Sequence, residues 1–81
     1  MQLRVLVFSV LREKLGADAF DITLSAPATG HDLLDHLAAQ DASIEAYRSS
    51  IRLAVNESYV PTDTPLQDGD EVALITPVSG G

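Results

Sequence analysis

Two segments, one near each end of the chain, have apolar residues at both alternating sets of positions. In residues 2–10, apolar side chains stand at positions 3, 5 and 7 and also at positions 6, 8 and 10. Residues 71–76 repeat the pattern at positions 72 to 75. A strand that is apolar on both sides is typical of the interior of a sheet. We therefore predict two central strands that lie side by side.

Three further segments predict shorter or half-exposed strands. Residues 20–24 and 51–55 have apolar side chains at every second position, which is the pattern of a strand. The first of these two should form a hairpin with residues 2–10. A short strand at residues 58–60 is expected to follow a tight turn at Asn56 and Glu57, since asparagine tolerates the left-handed backbone conformation.

One main helix is predicted over residues 30–40. Thr29 and Asp32 have the spacing of a capping box, in which each residue accepts a hydrogen bond from the other's backbone. Apolar residues at positions 33, 34, 37 and 38 fall on one side of this helix, so that side should pack on the sheet. Residues 11–16 and 44–48 predict no more than a loop or a single helical turn each.

This order of elements predicts an α+β fold of the β-grasp, or ubiquitin-like, type. A mixed sheet of about four to five strands would carry the main helix on one face. Residues 1–76 would form the single domain, and residues 77–81 a flexible, extended tail that carries the reactive terminus.

The composition excludes several classes of functional site. The chain has no cysteine, so disulfides, thiolate metal sites and cysteine nucleophiles are excluded. Its formal net charge of −7 argues against nucleic acid and anionic membranes and favours a partner with a basic face. We see neither a membrane-spanning segment nor a signal peptide, and therefore expect a cytoplasmic location.

The polar residues form no recognisable catalytic or metal motif. His31 and His36 would point about 140° apart on a helix, so they do not share a metal; surface pairs with Asp35 and Asp32 are expected instead. Residues 68–70, Asp-Gly-Asp, lack the remaining ligands of a calcium loop and predict a turn. No phosphate-binding loop is present, so any ATP would be bound by a partner.

The C-terminal residues supply the candidate chemistry. Glycine has no Cβ, so the Gly80-Gly81 end can lie extended in a narrow channel of a partner enzyme. The α-carboxylate has a pKa of about 3.3 to 3.7 and must be activated before it reacts. Adenylation with ATP would provide a leaving group, after which a sulfur nucleophile would give a thiocarboxylate and an amine would give an amide. We therefore predict that Gly81 is the reactive residue.

Four other residues allow two interpretations each. Phe8, Ile75 and Tyr59 lie on predicted strands and either belong to the core or form an exposed apolar patch beside the tail. Arg12 is either a solvated charge or a contact for a partner's carboxylate.

Several segments together resemble the small-subunit family of molybdopterin synthase, which are sulfur carriers with a ubiquitin-like β-grasp fold. The chain differs from the family's common pattern at Thr76, where a second proline is usual. The segments that carry the resemblance span the whole chain and are Val5-Leu6-Val7-Phe8 with Arg12-Glu13, Leu53-Ala54-Val55-Asn56, Pro65-Leu66 with Asp68-Gly69-Asp70-Glu71-Val72-Ala73, and Pro77-Val78-Ser79-Gly80-Gly81.

The resemblance implies that the chain carries sulfur but is not catalytic alone and binds no cofactor or metal. A ubiquitin-activating-type enzyme would use ATP to adenylate Gly81, and a sulfur donor enzyme would supply the sulfur of a thiocarboxylate. The tail would then enter the large subunit of a heterotetramer and deliver sulfur to a pterin precursor, which forms the dithiolene of molybdopterin. The family residues that contact partners match Phe8, Arg12, Tyr59 and Ile75, and those that insert match Pro77, Val78, Ser79 and Gly80.

Alternatives remain open at this point. A thiamine-pathway carrier or a tRNA-thiolation carrier would use the same activated end for another acceptor. A ubiquitin-like modifier would form an isopeptide bond. A passive β-grasp interaction module would keep its activity when Gly81 is deleted, whereas a carrier would lose it.

Overall fold

A computed structural model describes residues 1–76 of the protein, and residues 77–81, where the tail is predicted, lie outside the described range. The division between domain and tail therefore stays a prediction. The elements in chain order are β1 (Gln2–Val7), α1 (Ser9–Leu15), β2 (Ala19–Thr23), α2 (Gly30–Gln40), α3 (Ala42–Tyr47), a 3-10 turn (Arg48–Ser50), β3 (Arg52–Val55), β4 (Ser58–Val60) and β5 (Glu71–Ile75).

The five strands form one mixed sheet in the order β2-β1-β5-β3-β4. β1 and β5 are parallel neighbours at its centre, with Val5 opposite Val72. The pairs β1-β2, β3-β4 and β3-β5 are antiparallel. The predicted central pair, the hairpin of the first two strands and the α+β β-grasp fold are thus confirmed.

One face of this sheet is covered by the helices, and we call it the covered face. Its central side chains, such as Val5, Val72 and Leu74, are completely buried. Leu33 and Leu37 of α2 belong to the same apolar cluster, as the helical spacing predicts. The buried strand residues of the covered face are Leu3, Val5, Val7, Ile22, Leu53, Val72 and Leu74.

Helix α2 begins with the predicted capping box. The backbone N–H of Asp32 donates to Thr29 Oγ1 at 3.3 Å, and the backbone N–H of Thr29 donates to Asp32 Oδ2 at 2.8 Å. The first helical residue is Gly30, where an added Cβ would collide with the side chain of Leu53 and the carbonyl oxygen of Thr62. The glycine therefore lets α2 pack closely on both the sheet and the loop after β4.

The predicted first strand, residues 2–10, is too long by three residues, because β1 is Gln2–Val7. The described residues also contain more helix than expected. β1 ends at Val7 because Ser9 has a left-handed backbone with φ 51°, which turns the chain into α1. This helix buries Leu11 completely and ends at Leu15, and the N–H of its C-cap residue Gly16 donates to the carbonyl of Arg12 at 2.9 Å. The second weakly predicted segment also forms a helix, α3, so within residues 1–76 two short helices stand where no more than a single helical turn each was predicted.

The Asp-Gly-Asp segment is the turn that leads into β5. Asp68 Oδ1 accepts from the backbone N–H of Gln2 at 2.6 Å. Asp70 accepts from the backbone N–H of Gln67 at 2.8 Å and from the side chain of Asn56 at 3.0 Å. These bonds fix where β5 begins relative to its neighbours, and hence where it ends.

Candidate functional site

The second face of the sheet has no helix packed on it among the described residues, and we call it the open face. Residues paired across strands have side chains on the same face of the sheet, so the register assigns each residue to a face. The open-face residues are Ala19, Asp21 and Thr23 of β2, Gln2, Arg4 and Leu6 of β1 with Phe8 after it, Glu71, Ala73 and Ile75 of β5, Arg52 and Ala54 of β3, and Tyr59 of β4.

One apolar row crosses the open face from edge to edge. The strand register places its members opposite one another, and they are Ala19, Leu6, Ala73, Ala54 and Tyr59. With neighbouring strands about 4.8 Å apart, the row is roughly 19 Å long. The next row, toward the start of β5, is polar and contains Arg4, Asp21 and Glu71. The open face therefore has an apolar half and a polar half.

The C-terminal end of β5 lies in the apolar half. β5 runs parallel to β1, so Ile75 comes beside Phe8, which follows the last paired residue of β1. β3 runs in the opposite direction, and its first residue, Arg52, is paired with Ile75. Thr76, the residue before the predicted tail, therefore follows the end of the open face at which Phe8, Ile75 and Arg52 stand.

The exposure of the predicted contact residues separates the two interpretations left open by the sequence. Among the described residues, Phe8 is 44% exposed and Tyr59 is 69% exposed, so neither is a core residue. Ile75 is partly exposed, whereas its neighbour Leu74 on the covered face is completely buried. Ala54, between Ala73 and Tyr59 in the apolar row, is buried, whereas Leu6 and Ala73 are partly exposed. Exposed apolar side chains mark interaction surfaces, and the apolar half of the open face is therefore the candidate docking site.

Arg12 lies on α1, one helical turn beyond Phe8. Its Nε atom is 3.6 Å from Asp18 Oδ1, and both side chains are more than half exposed. An exposed pair of this kind has little net stability, so Arg12 is able to exchange Asp18 for a partner's carboxylate. The structure brings Phe8, Arg12 and Ile75 to one edge, while Tyr59 stands two strands away from β5 on the same face.

Sequence reasoning missed the small residues of the apolar row and the arginine beside the end of β5. Ala54 and Ala73 carry no signal of their own, and only the strand register shows that they connect Leu6 with Tyr59. Arg52 is one of the polar positions in the alternating segment of residues 51–55. Its place opposite Ile75 depends on which strand pairs with β3, which the local pattern does not determine.

The titratable groups on the helices form a separate cluster. Arg48 Nη2 is 2.6 Å from Asp35 Oδ1, and this hydrogen bond lowers the pKa of the Asp35 carboxyl. His31 Nδ1 is 3.4 Å from Asp35, as predicted, but His36 contacts Gln40 at 2.9 Å instead of Asp32. Over residues 1–76, no three His, Cys, Asp or Glu side chains are grouped so that they could hold a metal ion.

None of the helices within residues 1–76 is both long and apolar enough to cross a membrane.

Comparison with known proteins also relates the chain, over its full length, to sulfur carrier subunits of molybdopterin synthase. Residues 5–81 match the ThiS family. The molybdopterin synthase sulfur carrier subunit of Escherichia coli is 40% identical over 98% of this chain and 99% of its own. The subunit of the same name from Arabidopsis thaliana is 35% identical over 100% of this chain and 84% of its own.

Solved structures share the fold. SAMP1 from Haloferax volcanii is 27% identical, with a TM-score of 0.86 over 100% of both chains. A complex of subunits 1 and 2 of the molybdopterin-converting factor from Helicobacter pylori contains a chain that is 23% identical, with a TM-score of 0.72 over 100% of both chains. The chain therefore belongs to the ThiS family, and its resemblance to the sulfur carrier subunits of molybdopterin synthase is confirmed.

Proposed function

We propose that this protein is the sulfur carrier subunit of a molybdopterin synthase and that Gly81 carries the sulfur as a thiocarboxylate. The observation that carries the proposal is the full-length relationship to carriers of that name, which extends to within a residue or two of both ends of the Escherichia coli subunit. The absence of cysteine is consistent with it, because no side-chain thiol is available to hold the sulfur.

The chemistry takes place at the carboxyl group of the last residue. An activating enzyme of the ubiquitin-activating type binds ATP, and the carboxylate of Gly81 attacks the α-phosphate and releases pyrophosphate. A hydrosulfide sulfur delivered by a donor enzyme then attacks the acyl carbon, forms the C–S bond and expels AMP. The product is a thiocarboxylate, whose sulfur attacks the pterin precursor in the large subunit and so joins the two as a thioester. Water then hydrolyses the bond between this sulfur and the acyl carbon of Gly81, which leaves the sulfur on the pterin and a free carboxylate for the next cycle.

The open face supports this role as a docking surface. A tail that enters another protein's active site must leave from a surface which that protein covers. β5 ends in the apolar half, between Phe8 and Arg52, so a large subunit that binds this half receives the tail directly. In this arrangement Phe8, Ile75 and Tyr59 provide apolar contact area and Arg12 orients the partner. Residues 77–80 are expected to enter the partner's active site.

The test is intact-mass analysis with a thiol-reactive alkylating reagent, applied to protein from its native cells with an unmodified C-terminus. Since the chain has no cysteine, we expect a single alkylation that maps to Gly81. A variant that lacks Gly81 is the matched control and should remain folded and unlabelled. No label on the wild-type chain, even after incubation with an activating enzyme, ATP and a sulfur donor, would contradict the proposal.

A ubiquitin-like modifier is the second candidate, because the chain also resembles SAMP1, a small archaeal modifier protein, along its whole length. A modifier would join Gly81 to a lysine amine of a target and lose AMP in the same step. Amide-linked conjugates in cell extracts, without a labelled free terminus, would favour it over the carrier.

A further inference from the structure

The basic residues of this acidic chain differ in whether they form ion pairs with its acidic residues. Arg4 lies 3.3 Å from Asp21, Arg12 lies 3.6 Å from Asp18, and Arg48 lies 2.6 Å from Asp35. Arg52 and Lys14 form no ion pair with any carboxylate within residues 1–76, although the chain has 12 acidic residues and only five basic ones. Of these two, Lys14 lies on α1 and only Arg52 lies in the sheet. It is an exposed arginine whose partner is not supplied by the described part of the fold.

Arg52 stands on the open face at the edge where the chain leaves β5. It is paired with Ile75 on one side, and Tyr59 is its diagonal neighbour on β4, within reach of a long side chain. A shallow pocket of about 460 Å³ is lined by Arg52, Tyr59, Val60 and Pro61. The lining of the pocket therefore includes one arginine and one tyrosine.

A protein that receives the tail must cover this edge and remove water from Arg52. A guanidinium that loses its water without gaining a hydrogen-bonded anion weakens the complex, because an unpaired buried charge is costly. The planar guanidinium donates two parallel hydrogen bonds to a carboxylate, which is the anion that proteins most readily present. Tyr59, which also lines the pocket, has a phenolic hydroxyl that is able to donate a further hydrogen bond.

We propose that Arg52 and Tyr59 form a carboxylate-binding site, and that an Asp or Glu side chain of the large synthase subunit occupies it. This inference rests on the proposed function, since it assigns one contact of that complex. The chain's net charge of −7 favours a partner surface that is basic elsewhere. A single acidic residue opposite Arg52 then favours one orientation of the two subunits, because orientations that place Arg52 against the basic part of the partner surface bring like charges together.

The experiment measures the affinity of full-length variants for the isolated large subunit by calorimetry at low and at high salt. We expect Arg52→Leu to weaken binding by about tenfold or more, and Arg52→Lys by less, because a buried charge pair is broken or only partly replaced. The affinity of the wild type should also fall more steeply with salt than that of Arg52→Leu. Tyr59→Phe, which removes only the hydroxyl, should weaken binding by about threefold to tenfold.

Arg4→Leu is the matched control, since Arg4 is an arginine of the same face that already has Asp21 as its partner. It should change the affinity by less than about threefold. Tighter binding by Arg52→Leu would mean that Arg52 is buried without a partner, and unchanged binding would mean that it stays in water. Either result overturns the inference. If the wild type itself does not bind the large subunit, both this inference and the proposed role in molybdopterin synthase are contradicted. Sulfur loading of Gly81 is measured separately by alkylation, so a failure of the carrier chemistry is distinguished from a failure of this contact.

Discussion

The two faces of the central strands have the same apolar alternation but opposite surroundings. In β5, Val72 and Leu74 point to the helices and are completely buried, whereas Ala73 and Ile75 point to the open face and keep contact with solvent. An apolar side chain lowers the free energy of folding only when other parts of the same chain cover it. The residues of the open face are therefore available to stabilise a complex, and the comparison predicts that stability and partner binding depend on different residues of one strand.

The largest effect is expected from Leu74→Ala on the covered face. Removing most of a completely buried leucine leaves a cavity, so the free energy of unfolding should fall by about 2 to 5 kcal/mol. The matched control is Ile75→Ala, one residue further along β5, which should cost about 1 kcal/mol or less because its surroundings are partly solvent. Urea denaturation followed by circular dichroism measures both. Equal losses would show that the open face is also covered within the monomer.

Phe8→Ala tests whether the open face contributes to partner binding and not to stability. The side chain is 44% exposed, so its removal should change stability by less than about 1 kcal/mol. As an aromatic residue beside the end of β5, it should contribute about 2 kcal/mol to binding of the large subunit, or roughly 30-fold in affinity.

The control for Phe8 is Phe20→Ala, which removes the other phenylalanine of the chain. Phe20 packs against the core on the covered side, so this variant should lose stability while its folded fraction keeps the wild-type affinity. If Phe20→Ala weakened binding as much as Phe8→Ala, the docking surface would not be confined to the open face.

A smaller effect is expected from Asp70→Ala at the turn before β5. The substitution removes the acceptor for the backbone N–H of Gln67 and for the side chain of Asn56, which should lower stability by about 1 to 2 kcal/mol. Asp63→Ala, in an exposed loop of the same chain, should stay within about 0.5 kcal/mol of the wild type. A thermal unfolding series detects the difference. An Asp70→Ala variant as stable as the wild type would show that the turn does not hold the register of β5.

The smallest effect is expected on the outer surface of the helices, away from both faces of the sheet. The hydrogen bond from Arg48 lowers the pKa of Asp35 below its ordinary value of 3.8. The unfolded chain therefore binds more protons than the folded chain just below that pH, and stability rises with pH through this window. The contribution is fully present above 3.8 and is lost as the pH falls through the folded pKa.

Asp35→Asn lacks this titrating group. The wild type should be slightly more stable than the variant at neutral pH, and the difference should shrink toward zero in acid. Urea denaturation of both proteins across the acidic range measures this difference. A difference that grows as the pH falls would contradict the assignment.

The sequence predicted the central strand pair and the capped helix because each has a strong local signal. Two-sided apolar segments require a sheet interior, and Thr29 with Asp32 marks a helix start in any fold. The sequence did not predict α1, since the alternation of β1 continues past its end and only the left-handed backbone at Ser9 shows that the chain turns. It gave no sign of the apolar row or of the place of Arg52, because both depend on the pairing of β3 with β5.

All the binding effects predicted above require the apolar half of the open face to be the docking surface. The direct measurement is an NMR titration of ¹⁵N-labelled protein with the unlabelled large subunit, read at every assigned backbone amide. We expect the largest shifts and line broadening at Leu6, Phe8, Arg52, Tyr59 and Ile75, while the amides of α2 change little. Changes centred on α2 and α3, with the open face unaffected, would contradict the account.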